Sequence, residues 1–215
     1  MTACLVMATG NANAQWTGGV EAGASIGSDQ RPALRFFGNY ASDPLSHFIF
    51  LDWIRESTGT DFRLGYNPTW RVSHSFYSFG RFSIQQNDSN GIDQQVDALV
   101  GVGNNLFQRG STRAKIEAGV GGQHLEFVDT SDDTEAFLFL GSSVSSSLLA
   151  LLRFDASASS KISNDTATID AEVGLSVPIA PNTQLRYVYR VTRYNFDNRE
   201  NIVDEDNFFT VSYGF

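Results

Sequence analysis

The residues that could carry out chemistry in this chain fall into two sets. The first is small: three histidines, His47, His74 and His124. A histidine held between a carboxylate and a serine can activate the hydroxyl for acyl transfer. Glu126 lies two residues beyond His124, so in a strand the two share a face. A nucleophile would have to come from another strand, with Ser83 and Ser142 as candidates, and no spacing selects either. A triad is recognised by geometry, so His124 reads as a neutral histidine at an aqueous rim. His74 follows Ser73 in a short connection and is read the same way. No HExxH, CxxC or comparable ligand spacing occurs, so no catalytic residue, cofactor or metal site is expected.

The second set is larger and periodic. It comprises Glu21, Arg35, Asp52, Arg63, Arg81, Asp97, Arg113, Lys115, Glu117, Arg153, Asp155, Asp170, Glu172, Arg186 and Arg190. Each stands in a stretch where charged, small or polar residues alternate with aliphatic or aromatic ones. Successive side chains of a strand point to opposite faces, so these charges gather on one face. Oppositely charged residues facing each other across a pair of strands contribute a few tenths to about 1 kcal/mol. Hairpin geometry predicts five such pairs: Glu21 with Arg35, Asp52 with Arg63, Arg81 with Asp97, Arg153 with Glu172, and Asp155 with Asp170. The near balance of signs points to a charge-zipped interior. The competing reading is a polar path in which Arg113, Lys115, Arg186 and Arg190 select anions.

The elements that must position these charges are short strands. Ile169, Ala171, Val173 and Leu175 alternate with Asp170, Glu172, Gly174 and Ser176. Leu185, Tyr187, Tyr189 and Val191 alternate with Arg186, Val188 and Arg190. The same period runs along the chain and gives about 12 strands, an even number. Connections alternate between long and short. The short ones are Ser42–Pro44, Pro68–His74, Asn105–Gly110, Ser143–Ser147 and Pro178–Asn182. The long ones include acidic loops over Asp129–Glu135 and Asp197–Asp206. Those loops carry oxygen ligands suited to Ca²⁺ or Mg²⁺ but lack a shaped cage, so they read as solvated. Glycines 101, 103, 119 and 121 on the charged face are expected to leave room for large neighbours or to mark sharp bends of the sheet, and not to cradle a ligand.

Composition narrows the class. The chain has 215 residues with 13% aromatics, 18% charge and a net charge of −9. An acidic chain suits no nucleic-acid partner, whose phosphates require a basic face. No run of about 18 apolar residues exists to form a transmembrane helix. A membrane protein without one must be a closed barrel, because lipid satisfies no open sheet edge. Charge on a lipid face would cost about 2–4 kcal/mol near the midplane, so the charged face is expected to be the lumen. The fold class is therefore an all-β, transmembrane, antiparallel up-and-down barrel. Trp16, Tyr40, Tyr66, Trp70, Tyr77, Tyr187 and Phe215 are expected in one interfacial aromatic girdle, and Trp53, Phe127 and Tyr194 in the other. Met1–Ala14 is read as a truncated signal peptide ending in the small-x-small site Ala12-Asn13-Ala14, with the barrel over residues 15–215. The single cysteine, Cys4, lies in that segment.

The last stretch, Asn207–Phe215, places Phe209, Val211, Tyr213 and Phe215 on one face and Thr210, Ser212 and Gly214 on the other. It resembles the terminal assembly signal of bacterial outer-membrane barrels. That resemblance implies the barrel-assembly machinery and periplasmic chaperones as partners, together with outer-membrane lipids. To remove both sheet edges, this strand is expected to pair with Trp16–Ser25. Leu64-Gly65-Tyr66-Asn67, Ser75–Arg81, Val100–Asn104, Ile116–Gly121 and Phe209–Phe215 resemble the salt-induced outer-membrane protein family, a domain of unknown function numbered 481. The resemblance covers about Leu64–Phe215, and the N-terminal part departs from the family's usual Gly-Asn opening. It implies a bacterial outer-membrane location and transfers no catalytic residue. The expected function is a non-enzymatic, stress-related barrel, structural or a narrow porin-like channel. The alternatives are an outer-leaflet lipid hydrolase and a soluble β-barrel that binds an apolar ligand.

Overall fold

The computed structural model describes residues 14–25, 31–55, 60–87, 92–128, 132–149, 151–196 and 201–215. Met1–Asn13 with Cys4, and the loop acids Asp129, Asp197 and Glu200, lie outside the described residues. Twelve strands follow one another in sequence: β1 (Ala14–Ser25), β2 (Pro32–Ser42), β3 (Leu45–Arg55), β4 (Thr60–Arg71), β5 (Phe76–Asn87) and β6 (Ile92–Arg109). Then come β7 (Thr112–Phe127), β8 (Asp133–Leu149), β9 (Leu152–Ile162), β10 (Thr166–Ala180), β11 (Thr183–Phe196) and β12 (Ile202–Gly214). Each pairs antiparallel with its sequence neighbours, and β12 returns to β1 to close the barrel.

The seam runs from Gly19 opposite Gly214 to Ser25 opposite Phe208. Gly18 and Phe215 finish it with two backbone bonds of 2.9 and 2.8 Å. The expected pairing of the first and last strands is the one that forms. An open sheet would leave two rows of unpaired backbone groups, and closure removes both.

The period of two sorts the side chains as the alternation requires. One outward rung runs Val100, Val120, Leu138 and Ile162 across four strands, and all four are exposed. Phe209, Val211, Tyr213 and Phe215 are likewise exposed on the outside. One inward rung runs Arg35, Asp52 and Arg63 across β2, β3 and β4. The outer surface is thus apolar and the inner one charged, the inverse of a soluble barrel.

Several segments read as connections are strand in whole or in part: β8 starts at Asp133 and runs through Ser143–Ser147, and β10 runs on to Ala180, each drawn out by pairing with its neighbours. β4 continues through Pro68 to Arg71. Its ladder to β5 is interrupted there, passing from Tyr66–Phe82 to Thr69–Phe79, since proline has no N–H to donate. β6 runs on through Asn105 to Arg109. The turn shrinks to Gly110 and Ser111, with Gly110 at φ +58°, a conformation that glycine adopts without strain. β12 starts at Ile202, so Asp204, Glu205 and Asp206 belong to a strand and not to an acidic loop.

The inner wall also holds an apolar cluster of Tyr77, Phe79, Leu99, Phe137 and Phe139. Glycines make its floor. A Cβ at Gly101 would lie 2.7 Å from the Phe79 ring, at Gly121 2.7 Å from Phe137, and at Gly141 2.8 Å from Phe139. The Tyr77 ring covers Gly103 in the same way. Neighbouring-strand backbone excludes a Cβ as well: the Ala118 carbonyl at Gly101, the Ala98 carbonyl at Gly121 and the Val100 carbonyl at Gly119. Room for large neighbours is therefore what glycines 101, 103 and 121 supply.

Candidate functional site

The candidate site is the lumen. Its charged side chains fall into two networks on opposite walls. On the wall made by β10, β11, β12, β1, β2 and β3, Arg35 holds both Asp52 carboxylate oxygens through Nε and Nη2, at 2.5 and 2.8 Å. Glu172 accepts from Arg186 at 3.1 Å and from Arg190 at 2.9 Å. Arg186 also lies 3.6 Å from Glu21, which takes a hydrogen bond from the Thr210 hydroxyl. These arginine forks match the planar carboxylates they meet.

On the wall of β5 to β9, Glu117 accepts from the Tyr77 hydroxyl at 2.8 Å, from Lys115 at 2.9 Å and from Arg81. Asp97 Oδ2 accepts from Lys161 at 2.6 Å, from Gln95 at 2.9 Å and from Ser83 at 3.3 Å. Arg81 stands over the rings of Phe79 and Phe139, 5.0 and 4.6 Å from their centroids. Lys161 covers Phe137 at 5.6 Å. The cations thus roof the aromatic cluster while bonding the carboxylates, and cation–π attraction favours that seat.

The expected hairpin partners largely exchange. Glu21 is opposite Arg35 and Asp52 opposite Arg63, but Asp52 is saturated by Arg35, and Arg63 instead lies 5.5 Å over the Phe50 ring. Arg81 faces Leu99 and Asp97 faces Ser83, so that pair does not form. The β9–β10 hairpin is centred two residues further along than its charges suggest, because Ser163 and Thr166 close its turn. Arg153 therefore faces Ser176 and Glu172 faces Ser157, while Asp155 and Asp170 face Gly174 and Ser159. Arg153 turns to Asp155 in its own strand at 3.1 Å, and Asp170 accepts from Thr192 at 2.9 Å. Arg113 is exposed at the start of β7.

Several lumen residues escaped the sequence reading. Lys161 lies on the alternation that starts at Arg153 and Asp155, and Asp61 on that of Arg63. Asp206, bound to Arg31 at 2.6 Å, and Asp204 were hidden by the loop reading of their acidic surroundings. Tyr77 and Tyr194 do not belong to girdles: both are buried on the inner face. Phe127 packs inward beside Leu125 and Tyr194. Trp16, Trp70 and Phe215 are exposed outward at one end of the barrel. His47 joins them, stacked 6.0 Å from Tyr66 with a 2.7 Å hydrogen bond to its hydroxyl.

The hydrolase arrangement has no geometry here. His124 points outward, to Thr134 at 2.8 Å and Glu126 at 3.5 Å. Ser83 is inside, on Asp97, and Ser142 lies opposite Ile116, far down the strand from Thr134. Among the described residues no group of three or more histidine, cysteine or carboxylate side chains is placed to hold a metal ion.

Between the two walls lies a cavity of about 390 Å³, reached by Arg35, Asp52, Arg63, Asp97, Glu117 and Glu172 among others. Arg63 Nε and Asp97 Oδ1 are buried there with no hydrogen-bond partner. Buried polar atoms are satisfied by protein or by water, so this is a wet cavity.

An all-antiparallel closed barrel, greasy outside and charged within, defines a porin-like β-barrel. Solved structures agree on the fold. The NanC porin superposes with a TM-score of 0.62 at 9% identity, over 91% of this chain and 98% of that one. The KdgM porin gives 0.57 at 10% identity, over 92% and 99%. An outer-membrane channel from Pseudomonas putida F1 gives 0.53 at 9% identity, over 96% and 97%. No curated protein matches in sequence. The model of the family described as "Protein of unknown function, DUF481" matches residues 5–215, and the chain belongs to that family. The match extends well before Leu64, where the resemblance in the sequence began.

Proposed function

We propose that this chain is a non-enzymatic barrel of the bacterial outer membrane and that it works as a narrow channel for small polar solutes. The observation that carries this reading is the cavity of about 390 Å³ between walls of paired charge, with Arg63 Nε and Asp97 Oδ1 unpartnered beside it. An inert scaffold has its interior filled by side chains. This volume falls at the low end of the range that accepts small organic molecules, about 300–1,000 Å³. Paired charge lowers the cost of bringing a polar solute out of bulk water without holding it tightly, which conduction requires.

The outer face supports the location. Its exposed aliphatic belt fits lipid, and Trp16, Trp70, Tyr66 and Phe215 fit the interface at the end that carries the chain termini. Phe209, Val211, Tyr213 and Phe215 are the side chains offered to barrel-assembly machinery and periplasmic chaperones.

Two measurements test this. The folded protein should migrate differently on a gel before and after boiling; identical migration and a soluble fractionation would refute the membrane barrel. In planar bilayers it should give small, steady openings. A folded barrel that stays silent would leave only the structural role.

A further inference from the structure

We infer that the lumen is bipolar along its axis, so that the channel passes current more readily at one polarity than at the other. This rests on the channel reading above. The barrel has a loop end and a turn end, the latter carrying the termini and the short turns at Asp43–Pro44, Gly110–Ser111 and Pro181–Asn182.

Toward the loop end, the inward carboxylates among the described residues are Asp61, Asp97, Asp133, Glu135, Asp170, Asp204 and Asp206. Three cations accompany them, Arg31, Arg63 and Lys161. Toward the turn end the signs invert. Arg81, Arg113, Lys115 and Arg153 face inward there with two carboxylates, Glu117 and Asp155. Local pairing does not erase this surplus, because Glu117 is one charge shared by Arg81 and Lys115. At the other end Asp170 has a hydroxyl for its partner and not a cation. Arg35, Arg186 and Arg190 with Glu21, Asp52 and Glu172 form a neutral belt between the zones.

The scale makes the zones independent. Lys115 and Gln123 are both inward on β7, and Gln123 stands opposite Asp97 and Glu135. Eight residues at about 3.4 Å each, tilted by about 40°, separate the two levels by about 20 Å. The screening length is about 10 Å in 0.1 M salt, so each zone acts across the lumen and little on the other. The cavity touches both, with Lys115 at one end and Asp61 at the other.

Cations therefore collect in the loop-end zone and anions in the turn-end zone. A potential positive on the loop side drives both toward the neutral belt and fills the pore with carriers. The reverse potential draws both out and empties it. Conductance must then depend on polarity.

The experiment is single-channel recording of the refolded full chain in planar bilayers, at both polarities and two salt concentrations. In about 0.1 M potassium chloride the larger current should exceed the smaller by roughly twofold or more. In about 1 M salt, where screening shortens to about 3 Å, the two should become equal. The double variant Arg113→Glu, Arg153→Glu turns the basic zone acidic. Both side chains are exposed at the rim, so the barrel should still fold, as gel migration before and after boiling verifies. Its current should be symmetric and cation-selective at low salt. Equal wild-type currents in 0.1 M salt would overturn the bipolar lumen and leave the channel standing. Asymmetry that survives 1 M salt or the double variant would also overturn it. Silence from a folded barrel would overturn the channel reading itself, and this inference with it.

Discussion

The two walls of the lumen meet the same requirement in different ways. Both are the inner face of one sheet, and both must place large or charged side chains in a narrow space. On the β5–β8 wall, Tyr77, Phe79, Phe137 and Phe139 lie flat against glycines, under a roof of Arg81 and Lys161. Steric fit and burial hold that wall. On the β10–β3 wall, arginine forks cross the strands to Asp52, Glu172 and Glu21. Charge pairing holds that one, and its side chains remain partly exposed to the cavity. The lesson is that the charged interior is only half of the inner wall. The aromatic half is buried, no ring being more than 9% exposed, so its cations present more surface to the lumen than its rings.

The largest test of this contrast is Phe139→Ala. It removes the ring that seats Arg81, and the loss should be about 3–5 kcal/mol, as for other buried phenylalanines. Urea unfolding of the refolded barrel measures it, and a loss under 1 kcal/mol would break the picture of a packed wall. Gly121→Leu attacks the floor beneath Phe137. Overpacking should cost about 1–3 kcal/mol, with the ring displaced toward the lumen. A variant as stable as the parent would show that the floor has slack.

Glu172→Gln tests the other wall. It strips the shared carboxylate from Arg186 and Arg190, whose pairing is partly solvated, so the cost should be about 1–2 kcal/mol. Its clearer effect is on selectivity, since two arginines lose their counter-charge in the neutral belt. The reversal potential in a salt gradient should move toward anion preference, and an unmoved potential would separate this pair from the ion path. The smallest effect is that of salt on stability. Raising salt from about 0.1 to 1 M should erase part of the Glu172→Gln difference while leaving that of Phe139→Ala nearly unchanged. Equal salt responses in the two variants would end the distinction between the walls.

Much of this was legible in the residues. The facing of Arg35, Asp52, Glu172, Arg190 and the rest of the charged set follows from alternation, which needs no partner to be known. Glycines 101, 103 and 121 were readable as space for large neighbours, though not as space for Tyr77, Phe79 and Phe137 in particular. The misread segments share one cause. Pro68, Asn105–Arg109 and Asp204–Asp206 have the composition of turns, yet each is carried along by pairing with an already regular neighbour strand. A ladder on one side is enough to hold a residue type that local preference would release. Tyr77 was placed outside by its type, whereas its own spacing from Phe79 and Arg81 puts it inside.

The alternation by itself determined the faces, an approximate strand count and the need for the last strand to meet the first. The physical reason is that a period of two is local and an open edge is costly wherever the chain folds. Only the tertiary structure decided which cation meets which carboxylate. A register change of an even number of residues keeps every side chain on its face and replaces its partner, as the four-residue change in the β9–β10 hairpin shows. Closure then brings together residues no hairpin could pair, such as Glu21 on β1 and Arg186 on β11. The stagger of the closed strands also sets how far each charge lies along the axis, and with it the separation of the acidic end from the basic one.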